Sequence, residues 1–296
     1  MTRLISLPVL LWTKYGFIMK VFSNNSNSAI AKNDGNGETE NCKPAGESKH
    51  KWNAVWKSDI LRRKNSLFAI LSEIAPWLVP YPSPFNYFLK SWIEEHLYIS
   101  NMRILEIGGA GGLGVVLGRN SKEYVLIDYS EEAIQRARRV LRNVPCSSCI
   151  LKDMFTYKPS ELFDLVISLG LIEHFFGNEK KRCLDAHIRL SRRYVCIGAP
   201  ADNPINWWNH FKYERTKEYP SQRPISEGEL FSLCLSADLM PLAMTRLDSG
   251  YGRRKGMIRA LLRRLLAARW PFRGWGKDRI DGGLVVMLAE KKQPSN

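Results

Sequence analysis

The chain has 296 residues, 45% of them hydrophobic, which is enough for one ample core but not for two full α/β domains with tails. Its 44 Lys and Arg residues outnumber 29 Asp and Glu residues and give a formal net charge of +15. Six cysteines are scattered along the chain, and the C-x-x-C pair at Cys146 and Cys149 lacks the second pair that a zinc site needs. The cysteines therefore predict reduced thiols rather than a disulfide framework or a metal site.

The first 50 residues are expected to lie outside the folded domain. Residues 4–12 form an apolar run that is too short to cross a bilayer, and Met19 offers an alternative translation start. Residues 23–50 are rich in Asn, Ser, Gly, Lys and Glu and contain too little apolar surface to offset the entropy lost on ordering. We predict a disordered arm over residues 1–50, partly untranslated if Met19 is the start, and one folded domain over residues 51–292.

Two helices are predicted before the first strand. Apolar residues recur at helical spacing from Trp56 to Ile74, and a proline-rich break follows. A second helix is expected from Phe85 to about Leu97. These helices, within residues 51–98, either cap a ligand site or pack plainly against a sheet.

A short apolar strand runs into a glycine-rich turn over residues 103–114, RILEIGGAGGLG. The apolar residues alternate around Glu106 as strand residues do, and the glycines let the backbone come close to a bound ligand. A second apolar strand, Tyr124–Ile127, leads to Asp128, and Ser130 is a good N-cap for the helix that follows. This order of elements predicts an α/β protein with a cofactor site at the turn.

Two classes of cofactor fit this turn. A G-x-G-x-x-G pattern begins at Gly109, and Asp128 stands at the end of the next strand, where an NAD-binding protein places its ribose-binding acid. The turn also resembles the first motif of class I S-adenosylmethionine-dependent methyltransferases, an acid followed by G-x-G-x-G, with alanine at the middle glycine. The positions that carry this resemblance are Glu106, Gly108, Ala110 and Gly112.

Two later segments extend the resemblance to the methyltransferases. Residues 150–155, ILKDMF, resemble the family's third motif, in which an acid at the end of the third strand binds adenine beside an apolar neighbour. Residues 163–175, FDLVISLGLIEHF, resemble the fourth strand and following turn of small-molecule methyltransferases. The resemblance implies a Rossmann-like, doubly wound, seven-stranded and mostly parallel sheet with an antiparallel last strand and an N-terminal helical cap.

The remaining elements follow in the order that this fold requires. A helix over Leu184–Leu190 precedes a fifth strand over residues 194–198, and a capping box at Ser226 and Glu229 opens a helix to about Ala237. The last two strands are expected over Leu242–Leu247 and Gly283–Glu290.

The resemblance implies S-adenosylmethionine as the cofactor and, since this is an intracellular compound, a cytoplasmic protein. The acid and small residues of the first motif would frame the methionine end, Asp128 would hold the ribose, and Asp153 with Met154 would contact the adenine. The full set of predicted cofactor-binding residues is Glu106, Gly108, Ala110, Gly112, Asp128, Tyr129, Asp153, Met154 and Ser168. No metal ligand is predicted, because Gly170 stands where metal-dependent relatives have their first carboxylate.

The acceptor should face the segments that follow the fourth and fifth strands, because ligands of open α/β sheets bind beyond the carboxyl ends of the strands. His174 follows the fourth strand and His210 lies in an aromatic insert over residues 199–225; both are candidate general bases, ahead of Tyr213 and Glu214. His174 could instead contact the cofactor or the backbone. The aromatic insert is interpreted as a substrate lid or as a structural flap.

A basic amphipathic insert, residues 250–281, separates the last two strands. Residues 252–279 contain eight Arg and two Lys against one Asp, and they fit docking on the domain itself, peripheral membrane contact or, less well, nucleic acid. The predicted function is methyl transfer to a small-molecule, glycan or lipid-linked acceptor. The alternatives are an NAD-dependent oxidoreductase and a non-catalytic, methyltransferase-like protein that binds membrane or nucleic acid through this insert.

Overall fold

The computed structural model describes residues 52–55, 84–109, 111–216, 220–247 and 283–292. The predictions for the N-terminal arm, for most of the first helical segment, for Ala110 and for the basic insert fall outside these residues. Within the described ranges, no helix is long and apolar enough to span a membrane.

The described part of the chain contains both helices and strands. The helices are α1 (Pro84–Glu94), α2 (Gly112–Leu117), α3 (Glu131–Leu141), α4 (Asn178–Leu190), α5 (Pro204–Thr216) and α6 (Glu227–Ser236). The strands are β1 (Arg103–Ile107), β2 (Glu123–Asp128), β3 (Ser147–Leu151), β4 (Phe163–Leu169), β5 (Ser191–Pro200), β6 (Leu239–Leu247) and β7 (Leu284–Lys291). Single 3-10 turns lie at Ile99–Asn101 and Ile172–His174.

All seven strands form one sheet in the order β3-β2-β1-β4-β5-β7-β6. The first five strands are parallel, and β7 runs antiparallel to both β5 and β6. The chain passes from β3 to β4 across β1, so a topological switch point lies between β1 and β4. The predicted Rossmann-like, seven-stranded fold is confirmed.

The sheet is covered on both faces, which explains why its central strands read as nearly continuous apolar runs. Leu105 and Val166 belong to the core on one face, and Ile104 and Leu126 belong to the core on the other. The same alternation places Glu106 on the face that α2 and α3 cover. This face therefore holds a carboxyl group within an apolar layer.

Helix α1 packs on the sheet rather than standing apart from it. Its residues Leu89 and Ile93 are fully buried in the same core as Leu113 and Leu117 of α2. This packing agrees with the second alternative for α1, that of a helix packed plainly against the sheet.

Several element boundaries differ from the sequence predictions. Strand β6 begins at Leu239 rather than Leu242, and α4 begins at Asn178, well before Leu184. The predicted N-caps are confirmed: Ser130 accepts from the Ala133 amide at the start of α3, and Ser226 caps α6 in the same way. The rest of the predicted capping box is not formed, because the Glu229 carboxylate pairs with Lys180 at 2.6 Å.

Candidate active site

The turn after β1 is built on glycines in conformations that other residues rarely adopt. The φ angles are +71° at Gly108, +146° at Gly109 and +81° at Gly111. A Cβ added at Gly109 would lie 2.7 Å from Oε1 of Glu106, so the backbone passes directly against that carboxyl group. The turn leads into α2 at Gly112 and leaves backbone surface free of side chains, as a cofactor site requires.

Glu106 is buried and is held by a phenol from the neighbouring strand. The hydroxyl of Tyr124 donates to Oε2 of Glu106 at 2.6 Å, and Glu106 is only 5% exposed. Burial raises the pKa of Glu106 to about 7, and the charge of Asp128 also raises it, against the opposing effect of the Tyr124 hydrogen bond. The carboxyl group is therefore poised to ionise when a cation is placed beside it.

Asp128 ties the end of β2 to the glycine turn. Its Oδ1 accepts from the Ser130 amide at 2.7 Å, and its Oδ2 accepts from the Gly109 amide at 3.3 Å. Burial raises the pKa of Asp128 to about 6, while these backbone hydrogen bonds oppose the rise. A carboxylate oxygen has further lone pairs, so Asp128 can hold the turn and still accept from a ligand hydroxyl.

The turn after β3 carries the residues predicted for adenine. Asp153 lies just beyond the strand, where its Oδ1 accepts from the Phe155 amide at 2.8 Å. The neighbouring Met154 is buried, and its carbonyl accepts from the Arg189 guanidinium at 2.7 Å. The same guanidinium donates to the Tyr157 carbonyl at 2.8 Å, so α4 fixes the shape of this turn.

Ser168, near the end of β4, forms a hydrogen bond with a histidine of α4. It is fully buried, and its Oγ lies 2.8 Å from Nε2 of His187 on α4. The His187 Nδ1 donates to the Cys183 carbonyl at 2.7 Å, so Nε2 accepts and the Ser168 hydroxyl donates. Burial lowers the pKa of His187 to about 4, which keeps the ring neutral.

The turn after β4 presents an acid and a base side by side. Nδ1 of His174 donates to the Ser221 carbonyl at 2.7 Å, and its Nε2 lies 3.9 Å from Oε1 of Glu173. Burial lowers the pKa of His174 to about 4 and raises that of Glu173 to about 8. No described residue forms a hydrogen bond with Oε2 of Glu173, although this side chain is only 2% exposed.

His210 lies on α5, within the predicted aromatic insert. Its Nδ1 donates to the carbonyl of Gln222, and its ring contacts Trp207 edge-on at 5.3 Å. Residues 220–225, which we call the strap, thus receive one hydrogen bond from each candidate base. The Arg223 amide of the strap also donates to the Glu173 carbonyl at 3.0 Å.

The structure brings together the predicted residues of the first three strands, and it adds groups that the sequence analysis missed. The sequence marks Glu173 only as part of a motif and Tyr124 only as a strand residue. Tyr124 could have been found, because strand alternation puts it on the same face of β2 as Asp128. The contacts of His187 and of the strap depend on distant elements and have no local sequence signal.

A family model described as a methyltransferase domain matches residues 104–193, and no curated protein matches the chain. Among solved structures, the mycolic acid cyclopropane synthase CmaA1 shares 13% identity over 69% of this chain and 83% of that chain, with a TM-score of 0.51. A protein of Bacillus halodurans C-125, provisionally named a methyltransferase, shares 12% identity over 69% and 99%, with a TM-score of 0.50. The N-methyltransferase NodS from Bradyrhizobium japonicum WM9 shares 14% over 81% and 100%, with a TM-score of 0.49.

The strand order, the glycine turn and the matched domain agree on one class of protein. Residues 104–193 match a methyltransferase domain, and the sheet has the strand order of the Rossmann-like, S-adenosylmethionine-dependent methyltransferase fold. The alternative of an NAD-dependent oxidoreductase gains no support, since the dinucleotide-binding fold has the strand order 3-2-1-4-5-6 and no antiparallel strand between its last two. The G-x-G-x-x-G pattern is thus part of a methyltransferase turn.

Proposed function

We propose that this enzyme transfers a methyl group from S-adenosylmethionine to a small-molecule, glycan or lipid-linked acceptor. The observation that carries the proposal is the joined set of Glu106, the Gly109 turn and Asp128 at the carboxyl ends of β1 and β2, beside the switch point of the sheet. When bound, the cofactor supplies an electrophilic methyl group on a sulfonium. The protein mainly has to hold donor and acceptor in line and exclude water.

Each residue of the proposed cofactor site can bind one part of S-adenosylmethionine. Glu106 would accept from the ammonium group at the methionine end, and a pKa near 7 lets that cation draw the carboxyl into its charged form. Asp128 would accept from the ribose hydroxyls, with Tyr129 next to it. Asp153 would accept from the adenine amino group, and Met154 offers an apolar contact. These assignments rest on the family resemblance and on the positions of these residues at one edge of the sheet.

Glu173 and His174 form the proposed acid–base pair for an acceptor that must lose a proton. At neutral pH burial keeps His174 uncharged, with a lone pair on Nε2, but a pKa of about 4 makes it a weak base. Glu173, with a pKa of about 8, is better matched to proton transfer near neutrality. His210 remains a second candidate, because the hydrogen bond from its Nδ1 to the strap fixes the ring and does not involve Nε2.

The proposed location is the cytoplasm. The basic segment 252–279 is proposed to make peripheral contact with a membrane. Its charge favours an anionic surface. Nucleic acid is the less favoured partner.

The first experiment is calorimetric binding of S-adenosylmethionine and of NAD to the wild type and two variants. We expect a micromolar dissociation constant for S-adenosylmethionine, about −8 kcal/mol, and no binding of NAD. Asp128→Ala should lose at least about tenfold in affinity, since it removes a charged hydrogen-bond acceptor. Asp185→Ala, an exposed aspartate on α4, is the matched control and should bind like the wild type. Binding of NAD alone, or of neither compound, would overturn the proposal.

A labelled methyl donor then tests the acceptor class and the base. Incubation with separated aqueous and lipid extracts shows which fraction takes up the label. Glu173→Gln and His174→Gln should each slow transfer about 100-fold or more while leaving cofactor affinity nearly unchanged. Full activity in both variants would remove the proposed acid–base pair and leave His210 to be tested in the same way.

A further inference from the structure

Helix α5 turns one stripe of residues toward solvent. The stripe consists of Trp208, Phe211, Lys212 and Arg215, which are exposed and follow the spacing i, i+3, i+4, i+7 of a single helix face. Trp208 is 72% exposed and Phe211 is 63% exposed. Two large aromatic side chains therefore stand together in water, followed by two cations one turn further along.

The opposite face of α5 is fixed to the domain. The Asn206 side chain donates to the Ala201 carbonyl at 2.7 Å, and Trp207 Nε1 donates to Asp202 at 2.6 Å. Further along, His210 donates to the strap. The helix cannot rotate to bury the stripe without breaking these bonds, so the exposure of Trp208 and Phe211 follows from how α5 is held.

The composition of the stripe fits an anionic lipid surface. Neither Lys212 nor Arg215 forms an ion pair within the described part of the chain, so both charges are available to a partner. Exposed Trp and Phe side chains can enter the boundary between lipid headgroups and acyl chains, and neighbouring Lys and Arg side chains are attracted to anionic headgroups. The net charge of +15 adds a general attraction to anionic membranes.

We propose that the α5 stripe docks this enzyme on the surface of an anionic lipid bilayer. Helix α5 follows directly from β5, at the carboxyl edge of the sheet, and its strap contacts the turn that carries Glu173. Docking through the stripe therefore turns the acceptor side of the site toward the bilayer. Delivery of a lipid-linked acceptor by this route rests on the proposed function, whereas docking itself does not.

The test is co-sedimentation of the full chain with phosphatidylcholine vesicles that contain about 30% phosphatidylglycerol. Trp208→Ala combined with Phe211→Ala should lower the partition coefficient about tenfold or more, because two aromatic anchors are removed. Lys212→Gln combined with Arg215→Gln should lower it about tenfold on these vesicles and hardly at all on pure phosphatidylcholine. The matched controls, Tyr98→Ala and Arg119→Gln, change exposed residues outside the carboxyl edge and should bind like the wild type.

Three outcomes overturn the docking proposal. The first is no binding of the wild type to the anionic vesicles. The second is wild-type partition of both stripe variants, which would assign membrane binding to another segment. The third is that the stripe variants lose binding to single-stranded RNA but still bind vesicles like the wild type, which would make the stripe a nucleic-acid surface. Calorimetric binding of S-adenosylmethionine to the same samples checks that each variant is folded. If the wild type binds vesicles but not the cofactor, the proposed function is contradicted and the docking proposal is not.

Discussion

Replacing Tyr124 by Phe isolates one atom of the proposed cofactor site. The substitution removes the hydroxyl that donates to Glu106 at 2.6 Å and keeps the buried ring. Because Glu106 is itself buried, loss of this donor should cost about 1–3 kcal/mol of unfolding free energy. For a protein of this size that is a drop of about 2–4 °C in melting temperature for each kcal/mol.

The same substitution should change how cofactor binding depends on pH. With a Glu106 pKa of about 7, about 0.8 of the wild type is ionised at pH 7.5 and about 0.1 at pH 6, so affinity should fall about eightfold between these values. The Tyr124 hydrogen bond lowers the pKa of Glu106, so Tyr124→Phe raises that pKa further. We expect the variant to bind S-adenosylmethionine about three- to tenfold more weakly at pH 7.5.

Calorimetric titrations at pH 6, 7 and 7.5 measure this effect. Tyr194→Phe is the matched control, because Tyr194 is buried on β5 and no described residue bonds its hydroxyl. Equal affinity and equal pH dependence in Tyr124→Phe and the wild type would show that Tyr124 does not position Glu106. Retention of affinity in Glu106→Gln at every pH would refute the role of Glu106 itself.

Three further changes test other parts of the site. Gly109→Ala should abolish detectable cofactor binding and lower the free energy of urea unfolding by about 1–3 kcal/mol, because its Cβ would collide with Glu106. The control is Gly228→Ala on α6, where a Cβ meets open space, and this variant should bind the cofactor normally. Glu173 holds its proton in the folded state up to about pH 8 and in the unfolded state only to about 4.5, so wild-type stability should decline by up to about 1.4 kcal/mol per pH unit across that window. Glu173→Gln should lack this contribution, and equal slopes for the two proteins between pH 6 and 8 would contradict it. Arg189→Gln should weaken cofactor binding about three- to tenfold, because it removes the hydrogen bonds that hold the turn after β3. The control, Arg192→Gln, should bind like the wild type. Equal dissociation constants for the two variants would show that Arg189 does not support the cofactor site.

The sequence predicted most of the architecture because the decisive signals are local. The Ser130 and Ser226 caps, the apolar strands and the glycine turn each depend on residues within a few positions of one another. Boundaries set by tertiary packing were predicted less well: β6 begins at Leu239, before Pro241, because Leu239 and Met240 pair with Lys291 and Glu290 of β7. The first turn of α4, beginning at Asn178, is polar and gave no periodic apolar signal.

The sequence by itself predicted the residues proposed for the cofactor, because Glu106, Asp128 and Asp153 lie at or just beyond the carboxyl ends of three successive strands. Only the tertiary structure decided what these groups are bonded to. The hydrogen bond from the Tyr124 hydroxyl to Glu106 and the bonds from His174 and His210 to the strap join residues far apart in the chain. The physical reason is that hydrogen bonding and burial, which set the pKa values of Glu106 and Glu173, depend on neighbours brought in by other elements rather than on adjacent residues.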